Sequence, residues 1–215
     1  SRRYADDRGD NQVAGPDVNW QIDDTWRLRG QWLASSTSAL ADGQGALTHG
    51  ASRSGQRRVL KLLRNSEDGE SNIGIDEITA DFRHDSGFVP QSGVRILSAF
   101  HSKAWRPLGP FNEFFLNLQL ERQTELASGQ VVKQDIRPGL YSNAARNLEW
   151  WLELHPQSLV RTHRGGPLLH ERYVQSGLVM TPAPWFPLVD ANVAVGRLAD
   201  TAADRVRDGV RLSVT

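Results

Sequence analysis

Phe111-Asn112-Glu113-Phe114-Phe115-Leu116-Asn117-Leu118-Gln119-Leu120-Glu121-Arg122-Gln123-Thr124-Glu125-Leu126 alternates between apolar and polar residues. Phe114, Leu116, Leu118 and Leu120 share one parity. Glu113, Asn117, Gln119 and Glu121 share the other, with Phe115 the one apolar residue among them. A period of two belongs to a β-strand with one apolar and one polar face. A helix would place apolar residues at i, i+3 and i+4, which this run does not. Strands of soluble proteins average about 5–6 residues, whereas a tilted strand crossing a bilayer needs about 9–11. The alternation here runs past the upper figure, so the chain is read as a set of long amphipathic strands.

The flanks repeat the pattern. Upstream, Val94–Trp105 reads as a strand ended by Pro107-Leu108-Gly109-Pro110, since proline cannot continue a ladder. Downstream, Ser128-Gly129 turns the chain into 130–140. Leu148, Trp150, Leu152 and Leu154 then oppose Glu149, Trp151, Glu153 and His155, with Pro156 as terminator. A polar loop holds Arg161, His163, Arg164 and Gly165-Gly166, and strands over 168–180, 185–198 and 206–215 follow. Nearer the start, strands over 13–22 and 26–34 form a hairpin around Asp23-Asp24, aspartate being apt to bond its own backbone. Loops are expected at 36–45 and 65–72, and a strand over 73–82. A compact turn with an aromatic at its centre spans 81–93. Strands near 47–53 and 57–64 alternate poorly, and Arg57 to Leu63 equally fits a short helix. The total is roughly a dozen strands in one domain, 1–215. Position 1 is not methionine, no apolar leader opens the chain, and Val210 to Thr215 still alternate, so it is taken as a piece of a longer protein.

Composition bounds the rest. The 215 residues carry a formal net charge of +0 with a pI near 7.0, which offers no basic field for nucleic acid. Without cysteine there is no disulfide framework and no thiolate metal site. Hydrophobic residues make up 39% and the mean hydropathy is -0.48, so no stretch forms a transmembrane helix. A transmembrane β-barrel remains open, because its alternating faces average to a polar mean.

Alternation leaves a sign undetermined. A soluble sandwich or barrel buries the apolar face; an outer-membrane barrel turns it to lipid and keeps a polar lumen. Strand length favours the membrane. So do the tryptophans at strand ends: Trp20 and Trp26 around Asp23-Asp24, Trp105 before Pro107 and Trp185 after Pro184, since indole favours the headgroup level. One expectation runs the other way. Such barrels alternate short and long connections, yet both connections beside 111–126 look short.

Asp81-Phe82-Arg83 followed by Gly87-Phe88-Val89-Pro90-Gln91 resembles the D-F-R-x-D-x-G-F-V-P passage of an uncharacterised bacterial family. There an outer-membrane β-barrel follows an N-terminal carbohydrate-binding module of family-nine type. Val13-Ala14-Gly15-Pro16-Asp17-Val18-Asn19-Trp20 resembles the family's G-x-D first strand, with Pro16 a departure in its middle. Ser35-Ser36-Thr37 after Trp32 also fits, as does Asp190 with Asn192 and Gly196. The resemblance spans nearly the whole chain through short motifs. It implies a long-stranded antiparallel up-and-down barrel segment in the outer membrane of a Gram-negative bacterium. Its partner is the bilayer, and it reaches carbohydrate only through a domain upstream.

Recognisable chemistry is sparse. His163, His170 and Glu171 form no H-E-x-x-H, Gly43-Gln44-Gly45 lacks the rest of a dinucleotide loop, and there is no G-x-S-x-G. Arg8-Gly9-Asp10 spells an adhesion tripeptide by a chance match in a charged terminus. Glu113, Glu121, Glu149 and Glu153 share the polar face, but whether any two flank a sugar at about 5–9.5 Å is beyond sequence. They are read instead, with Asn117, as lumen-facing groups balanced by Arg27 and Arg29. The reading assigns no catalytic residue, cofactor or metal. The alternative is a soluble β-sandwich or barrel that binds carbohydrate through aromatics such as Trp150 and Trp151.

Overall fold

A computed structural model describes residues 2–3, 10–41, 47–49, 52–84, 91–145, 147–163, 165–181 and 188–214. Every regular element among them is a strand: β1 (Arg2–Arg3), β2 (Asp10–Ala14), β3 (Asp17–Gln21), β4 (Trp26–Thr37), β5 (Leu40–Ala41), β6 (Leu47–His49), β7 (Arg53–Ser66), β8 (Gly69–Ile78), β9 (Val94–Trp105), β10 (Phe111–Glu125), β11 (Val131–Ala144), β12 (Leu148–Val160), β13 (Leu169–Met180), β14 (Val189–Asp200) and β15 (Arg205–Val214). Twelve of them run up and down along one antiparallel sheet, in the order β1, β2, β4, β7 and then β8 to β15. β3 also pairs with β4, and β5 with β6 form a small separate sheet. The long sheet is not closed on itself among the described residues.

By contacts the chain divides into two compact units. Unit 1 holds residues 1–63, 73–97 and 123–130. Here β2 and β3 pair with β4 in one unbroken register, from Asn11 opposite Thr37 to Gln21 opposite Arg27. The break between them falls at Gly15-Pro16, where proline has no N–H to donate. A Cβ on Gly15 would stand 1.8 Å from the Trp32 carbonyl oxygen, so glycine alone fits that approach. Asp23 closes the hairpin as expected: its Oδ1 accepts from the Thr25 and Trp26 amides, both at 2.7 Å.

β7 settles the open choice between strand and helix. Arg57 donates to Asp76 (3.1 and 2.6 Å), while Arg58 lies 3.9 Å from Glu77. Successive arginines reaching successive carboxylates are what extended neighbouring strands produce, each pair on its own face. The pattern was obscured because both faces of β7 mix apolar and basic residues. The loop expected at 65–72 is instead a tight turn at Glu67-Asp68 between β7 and β8. There Ser66 Oγ bonds Asp68 (2.8 Å) and the Gly69 carbonyl (2.9 Å). β4 likewise continues to Thr37 into what was expected as loop, and β8 ends at Ile78, short of Phe82. The tripeptide and the glycine pair at 43–45 fall partly or wholly outside the described residues. So do the aromatic-centred part of the 81–93 turn and Trp185.

Unit 2 holds residues 64–72, 98–122 and 131–215. Its β11 to β15 form a continuous antiparallel meander. Pro156 does not end β12: the strand runs on to Val160 through a register shift between His155 and Ser158. Its neighbour β11 shifts between Ile136 and Gly139, around Pro138. The two prolines sit level with each other, and the bulges absorb the missing donors.

Candidate functional site

The two faces of the strands differ in shelter. On β10, Leu116, Leu118 and Leu120 are 49, 40 and 38% exposed, while Gln123 on the polar parity is 8% exposed. β12 repeats this, with Leu154 exposed and His155 buried. Val174 on β13, Val195 on β14 and Val210, Leu212 and Val214 on β15 are exposed as well. In unit 1 the same holds for Val18, Trp20, Trp32 and Leu60, against buried Asn11, Ser35 and Thr37. The leucine parity of β10 is the open face and its polar parity the sheltered one; elsewhere the sheltered side is mixed, with Ile78, Val94, Ala104, Ala194 and Leu198 buried there beside the polar residues.

In unit 2 the sheltered face gathers a charged network at the paired bulges. His155 Nδ1 lies 3.1 Å from Asp135 Oδ1, and its Nε2 lies 3.8 Å from Glu153 Oε2. The second distance is too long for a hydrogen bond, which leaves Nε2 buried and unbonded among the described residues. Arg137 reaches Glu153 at 3.5 Å and Asp135 at 4.0 Å, and donates to Gln119 Oε1. Tyr173 stacks on His155 with ring centroids 4.0 Å apart. A strand bulge re-aims side chains, and here it turns Arg137 and His155 toward the same two carboxylates. Next to this, Trp151 lies flat across Gly177 on β13, its register partner, where a Cβ would meet the indole at 2.0 Å.

Along the same face, Glu121 pairs with Lys133 at 3.0 Å. Glu113 takes the Arg106 guanidinium and accepts from Asn143 at 2.8 Å. A groove of about 470 Å³ opens there, lined by Glu70, Phe100, Arg106, Phe115, Asn117 and Tyr141. Phe115, the apolar exception in the sequence pattern, packs 5.6 Å from Tyr141 with Arg106 over its ring at 5.2 Å. Asn117 Oδ1 is buried without a hydrogen-bond partner among the described residues.

Of the seven residues expected on a lumen, Glu113, Asn117, Glu121 and Glu153 take sheltered positions in unit 2. Glu149, opposite Asn143, has the same parity but is exposed. Arg27 and Arg29 keep the polar parity of β4, Arg27 bonding Gln21 at 2.8 Å. The cations found against the carboxylates are Arg106, Lys133 and Arg137 rather than Arg27 and Arg29. Asp135, Arg137 and Tyr173 were missed. Glu153 and His155 share a parity that sequence shows, but Asp135 joins them only through the register shift between β11 and β12. Among the described residues no cluster of histidines and carboxylates is arranged to hold a metal ion. No helix there is long and apolar enough to cross a membrane, which says nothing about crossing by strands. No protein-family model matches the chain, and no similar curated protein or solved structure is found.

Proposed function

We propose that this chain is the membrane-embedded segment of an outer-membrane β-barrel in a Gram-negative bacterium, serving as anchor, pore or export platform for a carbohydrate-binding part upstream. The observation that carries the membrane part is the exposed leucine parity of β10 against its sheltered glutamine and carboxylate parity. A strand in water gains about 25 cal/mol for each Å² of apolar surface it hides, so a soluble sheet would shelter the leucines. A barrel in lipid gains by doing the reverse. Strands of 12 to 15 residues from β9 to β14 suit a tilted crossing. The sheltered network of Arg137, Asp135, Glu153 and His155 supplies the polar lining. Its role is electrostatic, with no catalytic residue, and the carbohydrate link follows from the motif resemblance.

Dilution of the urea-unfolded protein into phosphatidylcholine vesicles tests the reading. The expected result is strand circular dichroism and resistance to extraction by alkaline carbonate. A soluble, folded monomer formed in buffer without lipid or detergent would refute it.

A further inference from the structure

On the open face of unit 1, Arg95 donates through Nε and Nη2 to Glu77 Oε2 (2.9 and 2.7 Å), and Arg58 Nη1 stands 3.9 Å from Glu77 Oε1. Two guanidiniums thus share one carboxylate, and one positive charge in the row is left over. Among the described residues no other carboxylate pairs with Arg58 or Arg95. Arg58 also bonds the neutral amide of Gln56, and Arg53 is matched by Asp81. Arg57 faces the other way, toward Asp76. The side chains of Arg58 and Arg95 are 62% and 48% exposed. Two of the three lie at strand ends, Glu77 one residue before the end of β8 and Arg95 one after the start of β9, while Arg58 is the sixth residue of β7. Further along the same parity of each strand come Leu60, Ile73 and Leu97, all exposed.

We propose that the row Arg58, Glu77 and Arg95 binds the phosphate headgroup of one anionic phospholipid, whose acyl chains lie over Leu60, Ile73 and Leu97. The inference rests on the membrane reading above and names a lipid that this face prefers. A guanidinium fork matches phosphate oxygens two at a time. Basic side chains at the membrane surface attract anionic lipid. Glu77 holds the Arg95 fork by two hydrogen bonds and lies 3.9 Å from that of Arg58, so one carboxylate faces two positive charges. An apolar surface continuous with excess positive charge complements one kind of molecule, an anionic head joined to a hydrocarbon tail.

Native mass spectrometry of the full chain in detergent, titrated with phosphatidylglycerol or with phosphatidylcholine of the same acyl chains, tests it. The wild type should retain one phosphatidylglycerol in preference to phosphatidylcholine, and millimolar inorganic phosphate should not displace it. Arg58→Gln with Arg95→Gln should weaken phosphatidylglycerol binding by roughly five-fold or more per arginine, with phosphatidylcholine binding unchanged. Arg58→Lys with Arg95→Lys should keep most of the preference. If the double glutamine variant does not fold, Arg58→Gln alone must show the loss. Equal retention of the two lipids by the wild type overturns the site while leaving the membrane reading standing. So does undiminished phosphatidylglycerol binding in a folded variant. A wild type that binds neither lipid and stays folded without detergent overturns both.

Discussion

Leu154 and His155 are adjacent on β12, yet Leu154 is 44% exposed and His155 is 3% exposed. Leu154 sits among apolar neighbours, opposite Val174. His155 sits against Asp135, Glu153 and the ring of Tyr173. The same contrast runs down β10. Each of these two strands has two faces that sequence separates cleanly, but only the fold shows which one is sheltered. On these two strands it is the polar one, and under the membrane reading proposed above the energetics of the faces run in reverse.

The largest effect should come from a charge on the open face. Leu118→Arg is expected to cost about 2–4 kcal/mol of folding free energy in a bilayer if it lies near the midplane. The same change on a water-exposed strand would stay within about 0.5 kcal/mol. Urea titration of folding into vesicles measures the difference, and the Leu118→Ala variant, which shortens the same side chain without adding charge, serves as the comparison.

Next comes the sheltered network. Asp135→Asn keeps the shape but removes the charge that holds His155 and Arg137. It should cost about 1.5–3 kcal/mol, the range for hydrogen bonds to charged groups. The same titration should detect it, and a stability equal to wild type would mean that the network carries no energy. Gly177→Ala should be comparable or smaller, about 1–3 kcal/mol from overpacking against Trp151. Near-ultraviolet circular dichroism should show the indole displaced.

These effects divide along what the sequence made legible. Strand β9 has the limits its alternation and Pro107 predict, and β10 falls one residue short of Leu126. β7 was ambiguous because Arg57 and Arg58 give its two faces similar chemistry. The loop expected over 65–72 was misread because Glu70, Ser71 and Asn72 are polar residues within a strand whose partners supply their surroundings. In the site, Glu113, Glu121 and Glu153 were legible from parity alone. Their cations were not: Lys133 and Arg137 meet them across strands, at a register that no local pattern encodes. Pro156 was expected to end its strand, while Pro138 lay unremarked inside the strand expected over 130–140. Set level with each other, they instead mark the register shift that brings Asp135 to His155.

The smallest effect lies at the turns, outside the contrast of faces. The Lys103 ammonium, together with Ser66, holds the Asp68 carboxyl down to about 2. A carboxyl lowered on folding contributes stability above its unfolded value, about 3.9, and loses it as pH falls through the folded one. Proton-linked carbon shifts of Asp68 should therefore titrate near 2 in the wild type, and toward the ordinary carboxylate range in Lys103→Met. An unchanged titration in that variant would remove Lys103 as the cause.

Trp150 and Trp151 test the sign of the faces most directly, because adjacent strand residues point to opposite sides. Trp150 shares its parity with Leu152 and Leu154 and bonds Ser176 at 3.2 Å. Trp151 lies over Gly177 on the sheltered face. Two variants are needed, each keeping one of these tryptophans with every other replaced by phenylalanine. Both are folded into vesicles whose acyl chains carry bromine at graded depths. Fluorescence of Trp150 should be strongly quenched and that of Trp151 much less. Equal and weak quenching of both, with strand circular dichroism intact, would contradict an apolar face turned to lipid.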